Sequence, residues 1–262
     1  MQKPSGEILA TAVEWMKQGR EVALATVIQT WGSAPRPVGS KMLIDGDGNF
    51  EGSVSGGCVE ASVLAEVPDV LGAAKAATLS YQVEDDSAFK AGLACGGAIR
   101  ILLEPLAGSG CEAMGAVLRS LTCELEARRP AALLTELASG RRRLLRRPLD
   151  TSEAIMQPVA DALRRDKSTL IESEGGELFI DVFNPKLRII VIGAVHIAQA
   201  MLPLTKALGQ DLVIIDPREA FASKERFDDA TLLADWPEAV LPRIGMDERT
   251  AVVALAHEPR ID

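Results

Sequence analysis

The sequence predicts an α/β protein: an N-terminal α+β unit over about residues 1–106, a connector with helices and a hairpin over 107–186, and a Rossmann-like parallel-sheet unit over 187–262. Three observations carry this. Leu187–Ile192 (LRIIVI) is a continuous apolar run of the kind a strand covered on both faces needs; a glycine turn, a helical stretch and a second such run, Leu212–Ile215, follow it. The first hundred residues alternate β-branched runs, glycine turns and helical stretches. Finally, 262 residues that are 47% hydrophobic and 25% charged have the balance of an ordinary globular chain with a sizeable core.

Taken in order, Ser5 is a plausible N-cap for a first helix, because Ile8, Leu9, Ala12, Val13 and Met16 recur at helical spacing until Gly19. Glu21–Thr30 and Ser40–Ile44 read as strands, the second running into the tight-turn signal Asp45-Gly46-Asp47-Gly48. After Ser55-Gly56-Gly57-Cys58-Val59-Glu60 an alanine-rich helical stretch reaches about Ala76, and strand-like Thr78–Val83 and Ile99–Leu103 follow. In the connector, Gly110–Ala127 and Glu153–Arg165 read as helices, and Ala131–Ala138 with Arg142–Leu145 as a hairpin around Ser139-Gly140. The last part is a βαβ unit, Leu187–Ile192, a helix to Leu208 and Leu212–Ile215 ending at Asp216, with a further strand at Ala251–Leu255.

Charge and cysteine usage exclude several classes. With 37 acidic against 28 basic residues the net charge is −9, which argues against a nucleic-acid or membrane-surface binder, whose affinity rests on basic residues meeting phosphates. The N-terminal twenty residues carry charges through the place of a signal h-region, and the sequence holds no apolar run long enough to span a bilayer, so a cytoplasmic protein is expected. Cys58, Cys95, Cys111 and Cys123 are too few for a disulfide scaffold and form no CxxC pair, and with only His196 and His257 beside them a structural zinc site is not expected.

The chemistry-bearing candidates cluster in two places. The turn Gly193-Ala194-Val195-His196-Ile197-Ala198 and Asp216 occupy the positions of a dinucleotide fingerprint, a glycine turn at a helix N-terminus and an acid at the end of the next strand. Val195 stands where the glycine that admits the pyrophosphate belongs, so the fingerprint is degraded, and a scaffold without a nucleotide is as good a reading. His196, in the first helical turn, either meets an anionic ligand or caps backbone. In the first unit, Ser55-Gly56-Gly57-Cys58 and Cys95-Gly96-Gly97 place thiols beside glycines. A thiol at a helix N-terminus favours its thiolate, and neighbouring glycines admit a bulky ligand or aim N–H groups at its phosphate. The alternative is that both are small packed residues, the reading preferred for Cys111 and Cys123. Trp31–Lys41 fails as a phosphate loop on glycine spacing, yet Ser33 and Arg36 on its Pro-bracketed turn can hold an anion. Arg141, Arg142, Arg143, Arg146 and Arg147 read as a solvated edge or as a docking patch for an acidic partner.

Together these pieces resemble the XdhC/CoxI family of accessory proteins for molybdenum hydroxylases. The likeness lies in Gly32–Arg36, Gly52–Glu60 and Cys95–Gly97 leading to Leu103-Glu104-Pro105, then Val191–Ala198, Asp216-Pro217-Arg218, Glu225-Arg226-Phe227 and Ala254–Pro259, in the family's order over about two-thirds of the chain. The resemblance implies a homodimeric chaperone that binds molybdenum cofactor, supports its sulfuration by a cysteine desulfurase and delivers it to an apo xanthine dehydrogenase-type hydroxylase, without turnover of its own. It implies Cys58 as the thiol nearest the metal, Cys95 as a second lining thiol, Ser33 and Arg36 as anion contacts, and Gly56, Gly57, Gly96 and Gly97 as the ligand's backbone surroundings. Gly193, His196 and Asp216 would meet a nucleotide if the second unit binds one; the rival reading is an NAD(P)-dependent oxidoreductase. The family's Rossmann half continues beyond Pro259 whereas this sequence stops at Asp262, so an incomplete Rossmann unit is expected.

Overall fold

The computed structural model describes residues 5–32, 34, 36–57, 59–82, 97–106, 112–147, 149, 153–228 and 230–256. The chain divides into two compact units, residues 2–184 and 185–262.

In the first unit, helix α1 (Ser5–Lys17) forms where the periodicity predicts and buries Ile8, Leu9, Ala12 and Trp15 along one stripe. Strands β1 (Val22–Trp31), β2 (Lys41–Asp45), β3 (Phe50–Gly52), β4 (Ala77–Tyr81) and β5 (Ala98–Pro105) make an antiparallel sheet of order β3-β2-β1-β5-β4. Its central strand β1 is buried on both faces. Ala23, Ala25 and Val27 pack with Val63, Val67 and Val70 of helix α2 (Glu60–Ala73). On the other face Val22 and Leu24 pack with α1, with Leu118 and Leu121 of helix α3 (Glu112–Glu126), and with Leu133 and Phe183 of a second sheet.

That second sheet, β6 (Ala131–Glu136), β7 (Arg142–Arg146), β8 (Thr169–Ser173) and β9 (Gly176–Phe183), has the antiparallel order β7-β6-β9-β8. Its far face packs Ala132, Leu134, Leu178 and Ile180 on helix α4 (Met156–Arg165). The stretch read as a connector therefore supplies α3, this sheet and α4, and belongs to one compact unit with the residues before it. The physical reason is that Leu133, Phe179 and Phe183 bury against the first sheet and its helices.

The face between the two sheets also encloses charge. Lys41 reaches Asp181 at 2.6 Å, with both side chains at or below 9% exposure, and Arg142 pairs with buried Glu104. Burial holds the Glu104 carboxyl above its ordinary value despite Arg142 and Lys41 nearby. Arg100 and Glu177 close a third pair, at 2.6 Å, across the sheets.

In the second unit, β10 (Arg188–Ile192), β11 (Asp211–Ile215), β12 (Thr231–Leu233) and β13 (Thr250–Ala254) form a parallel sheet of order β12-β11-β10-β13, with helices α5 (His196–Ala207) and α6 (Pro237–Ile244). This is the expected Rossmann-like arrangement. The chain leaves β10 to one side for β11 and returns on the other for β13, and the crevice at such a reversal is where ligands of open α/β sheets sit.

Candidate functional site

Antiparallel pairing decides which loops of the first unit meet. Trp31 pairs with Ala98 and Tyr81 with Ile99, so the end of β1, the start of β5 and the end of β4 share one end of the sheet. Lys41 at the start of β2 and Gly52 at the end of β3 point to the same end, since Thr26 pairs with Lys41 and Met42 with Gly52. The Gly32–Arg36 turn, the Ser53–Gly57 loop and Gly97 all emerge there. Val54 and Val59, on either side of Cys58, are buried in one cluster with Ile99, two residues after Gly97. The segments that carry Arg36, Gly56, Gly57 and Gly97 thus share one end of the sheet although 61 positions separate Arg36 from Gly97. Arg36 is half-buried and Gly97 buried, while Gly56 and Gly57 are exposed; Ser33, Cys58, Cys95 and Gly96 lie outside the described residues.

The Ser53–Gly57 loop is organised by an acid not among the residues expected to form the site. Oε1 of Glu60, the first residue of α2, accepts hydrogen bonds from Ser53 Oγ (2.7 Å) and from the backbone N–H groups of Ser55 (2.9 Å), Val54 (3.1 Å) and Gly56 (3.1 Å). Its Oε2 accepts from the Gly57 N–H at 2.9 Å and from the Ser55 hydroxyl. Gly56 and Gly57 hold φ of 79° and 115°, which lets successive N–H groups converge on one anion. Burial alone would raise this carboxyl, but the hydroxyls of Ser55 and Ser53 and the Ser55 N–H outweigh it and draw it down to about 2. The donors expected to face a ligand phosphate face Glu60 instead. A signal was present: two serines and two glycines within the seven residues before a glutamate that opens a helix are the parts of an anion nest closed by a nearby acid.

In the second unit, Asp216 is fully buried at the C-terminal end of β11. Its Oδ2 accepts from the Ala194 N–H (2.8 Å) and Arg218 Nη2 (2.7 Å), and its Oδ1 from the Arg218 N–H (3.0 Å) and Nε (2.8 Å). Burial raises the carboxyl, yet Arg218 and the Ala194 N–H win, and it lies below its ordinary value. The oxygens that a dinucleotide site offers to ribose hydroxyls are therefore engaged by the chain itself. Arg218 also lies 4.0 Å over the Phe221 ring, and Arg226 donates to the Ala194 carbonyl, fixing the turn from both sides. A Cβ on Gly193 would come within 3.0 Å of the Ala256 backbone nitrogen, so this glycine serves the approach of the chain after β13. His196 is exposed at the start of α5.

Other candidates fall out differently. In the arginine cluster, Arg141 pairs with Glu136, Arg142 with Glu104, Arg143 with Glu153 and Arg146 with Glu124, so those guanidiniums meet the chain's own carboxylates. Cys123, expected as a packed residue, is exposed on α3 because the apolar stripe of that helix is formed by Met114, Leu118 and Leu121; Cys111 lies outside the described residues. Among the described residues there is no group of three His, Cys, Asp or Glu able to hold a metal ion, and no helix long and apolar enough to cross a membrane.

Residues 15–82 match the XdhC and CoxI family, and residues 189–262 match the XdhC Rossmann domain. The molybdenum cofactor insertion chaperone PaoD of Escherichia coli (strain K12) is 30% identical over 251 residues, 96% of this chain and 64% of that protein. A probable xanthine dehydrogenase subunit of Bacillus subtilis (strain 168) is 26% identical over 254 residues, 94% of this chain and 75% of that protein. The chain thus spans less than two-thirds of the first relative's length. A crystal structure of a xanthine dehydrogenase from Bacillus halodurans shares the fold, with a TM-score of 0.73 at 23% identity over 98% of this chain and 75% of that one.

Proposed function

The chain belongs to the XdhC/CoxI family, and from that premise we propose that it carries molybdenum cofactor as cargo, shelters it during sulfuration by a cysteine desulfurase, and delivers it to an apo xanthine dehydrogenase-type hydroxylase. The carrying observation is the gathering of the Gly32–Arg36 turn, the Ser53–Gly57 loop and Gly97 at one end of the five-stranded sheet. The relative named as an insertion chaperone, similar over 96% of this chain, supports the same reading.

The residues suit such a cargo. Its phosphate calls for a planar, permanently charged fork, which Arg36 offers, with Ser33 as a second anion contact. Its metal and sulfur atoms call for soft ligands, the role of Cys58 as the thiol nearest the metal and of Cys95 as a second lining thiol. Gly57 has open space around it, with nothing within 4 Å of a Cβ built there, so a bulky pterin has room against that backbone; Gly56, Gly96 and Gly97 belong to the same surroundings. No step here asks the chain for turnover. In the second unit, Gly193, His196 and Asp216 frame the crevice, and a nucleotide bound there would have to be held otherwise than by the Asp216 carboxylate. A homodimer in the cytoplasm completes the reading.

The test is retention. The purified chain is incubated separately with molybdenum cofactor and with NADH, desalted, and assayed by absorbance and mass. The expected result is pterin retained near one equivalent and nicotinamide lost; nicotinamide retained and pterin lost overturns the proposal.

A further inference from the structure

The Glu60 carboxylate lies inside the loop that the cargo reading makes functional, and its contacts say more than that it is buried. A carboxylate offers about four lone-pair sites, and six donors converge on this one: two serine hydroxyls and the N–H groups of Val54, Ser55, Gly56 and Gly57. Ser55 extends the arrangement, because its hydroxyl also accepts the Val59 N–H at 2.8 Å. Cys58 is thereby bracketed by Gly57 and Val59, whose N–H groups are both tied to one hub.

We propose that Glu60 is the positioning residue of the Ser53–Gly57 loop: a carboxylate of the chain, in place of an anion of the ligand, organises the N–H groups of residues 54–57 that lead into Cys58. This rests on the cargo reading for what the loop is for, but its geometry stands without it. It also reassigns Gly56 and Gly57. Their positive φ serves the nest around Glu60, and a ligand phosphate could take those N–H groups only by stripping two of the six donors from a buried carboxylate and setting a second anion beside it, a costly exchange. The phosphate of any cargo is therefore met elsewhere on this end of the sheet. A reactive group held by its own loop before a ligand arrives is preorganised, which is what capture of a labile cargo requires.

The experiment uses the full chain without cofactor, at one fixed pH. Alkylation of each cysteine by iodoacetamide is followed by peptide mass spectrometry, and amide hydrogen exchange is read over residues 53–60, in wild type, Glu60→Ala and Glu60→Gln. In Glu60→Ala the expected result is exchange at residues 54–57 at least ten-fold faster and alkylation of Cys58 at least three-fold faster. Cys123, exposed on α3, should keep its rate, and Glu60→Gln, which keeps an accepting oxygen in place, should return toward wild type. Unchanged exchange and alkylation at the loop, or equal acceleration at Cys58 and Cys123, overturns the proposal, since a general loosening of the fold moves both thiols. If Glu60→Ala does not fold, Ser53→Ala, which removes a hydroxyl joining Glu60 to the Gly56 N–H, carries the same comparison: faster exchange and alkylation confined to the loop support the proposal, and unchanged or general acceleration overturns it. Because cofactor is absent throughout, failure here leaves the cargo reading standing. Failure to retain pterin in the desalting test leaves Glu60's role standing.

Discussion

Glu60 and Asp216 show one device used twice: a buried carboxylate kept ionised by side-chain donors, the Ser55 and Ser53 hydroxyls or Arg218, together with backbone N–H groups, closing a glycine turn on the chain itself. For Glu60 this has a consequence in acid. Its carboxyl lies at about 2 in the folded chain against an ordinary 4.5, so the unfolded chain takes up the proton first. The stabilisation is complete above about pH 4.5 and is lost as the pH falls from there toward 2, an effect of about 2 kcal/mol after allowance for solvent screening. Denaturant unfolding of the first unit between pH 6 and pH 3 should show this loss in wild type and a flatter profile in Glu60→Gln; parallel profiles would contradict it. What was legible at this scale was identity without partner. The glycines, the cysteines and Asp216 stand out by type and spacing, and Glu60 is marked only by the serines and glycines shortly before it, whereas Lys41 reads as an ordinary charged residue because the acid that makes it special arrives only through folding.

Among elements, the strongest constraint is the charged layer between the two sheets of the first unit. Lys41 at the start of β2 and Asp181 in β9 are 140 positions apart in sequence and 2.6 Å apart in space, with Ser168 donating to Asp181 at 3.0 Å. Removing one partner strands a buried charge, so Lys41→Met should destabilise the first unit by about 3–5 kcal/mol, whereas Lys41→Met with Asp181→Leu should recover most of the loss. Chemical denaturation of the two variants measures this; equal losses would show that the pair itself, and not the stranded carboxylate, carries the energy. The elements were legible where periodicity is strong: α1, α3, α4, β1, β10, α5 and β11 fall close to their predicted places. The hairpin of β8 and β9 was not, although Thr169–Ser173 and Leu178–Phe183 flank a Glu174-Gly175 turn. Without it β6 and β7 look like an isolated hairpin, and the 107–186 stretch like a connector. Short β3, β12 and α6 carry too few residues for a period to show.

For the whole molecule, the order of motifs along the chain was readable at both ends, and so was the parallel sheet of the second unit. The pairing that gathers the first unit's loops was not, because β1 contacts β5 across more than sixty residues and no local pattern encodes that neighbour. This gathering is what makes a cargo site conceivable, and what the site does for a client decides whether it is one. The direct measurement is reactivation: the chain is loaded with sulfurated molybdenum cofactor, mixed with an apo xanthine dehydrogenase-type hydroxylase, and the recovered activity compared with an equal amount of free cofactor and with loaded Cys58→Ala. The account predicts recovery by the wild-type chain well above free cofactor, and at least ten-fold less by Cys58→Ala. Recovery no better than free cofactor, or equal recovery with and without the Cys58 thiol, would contradict it.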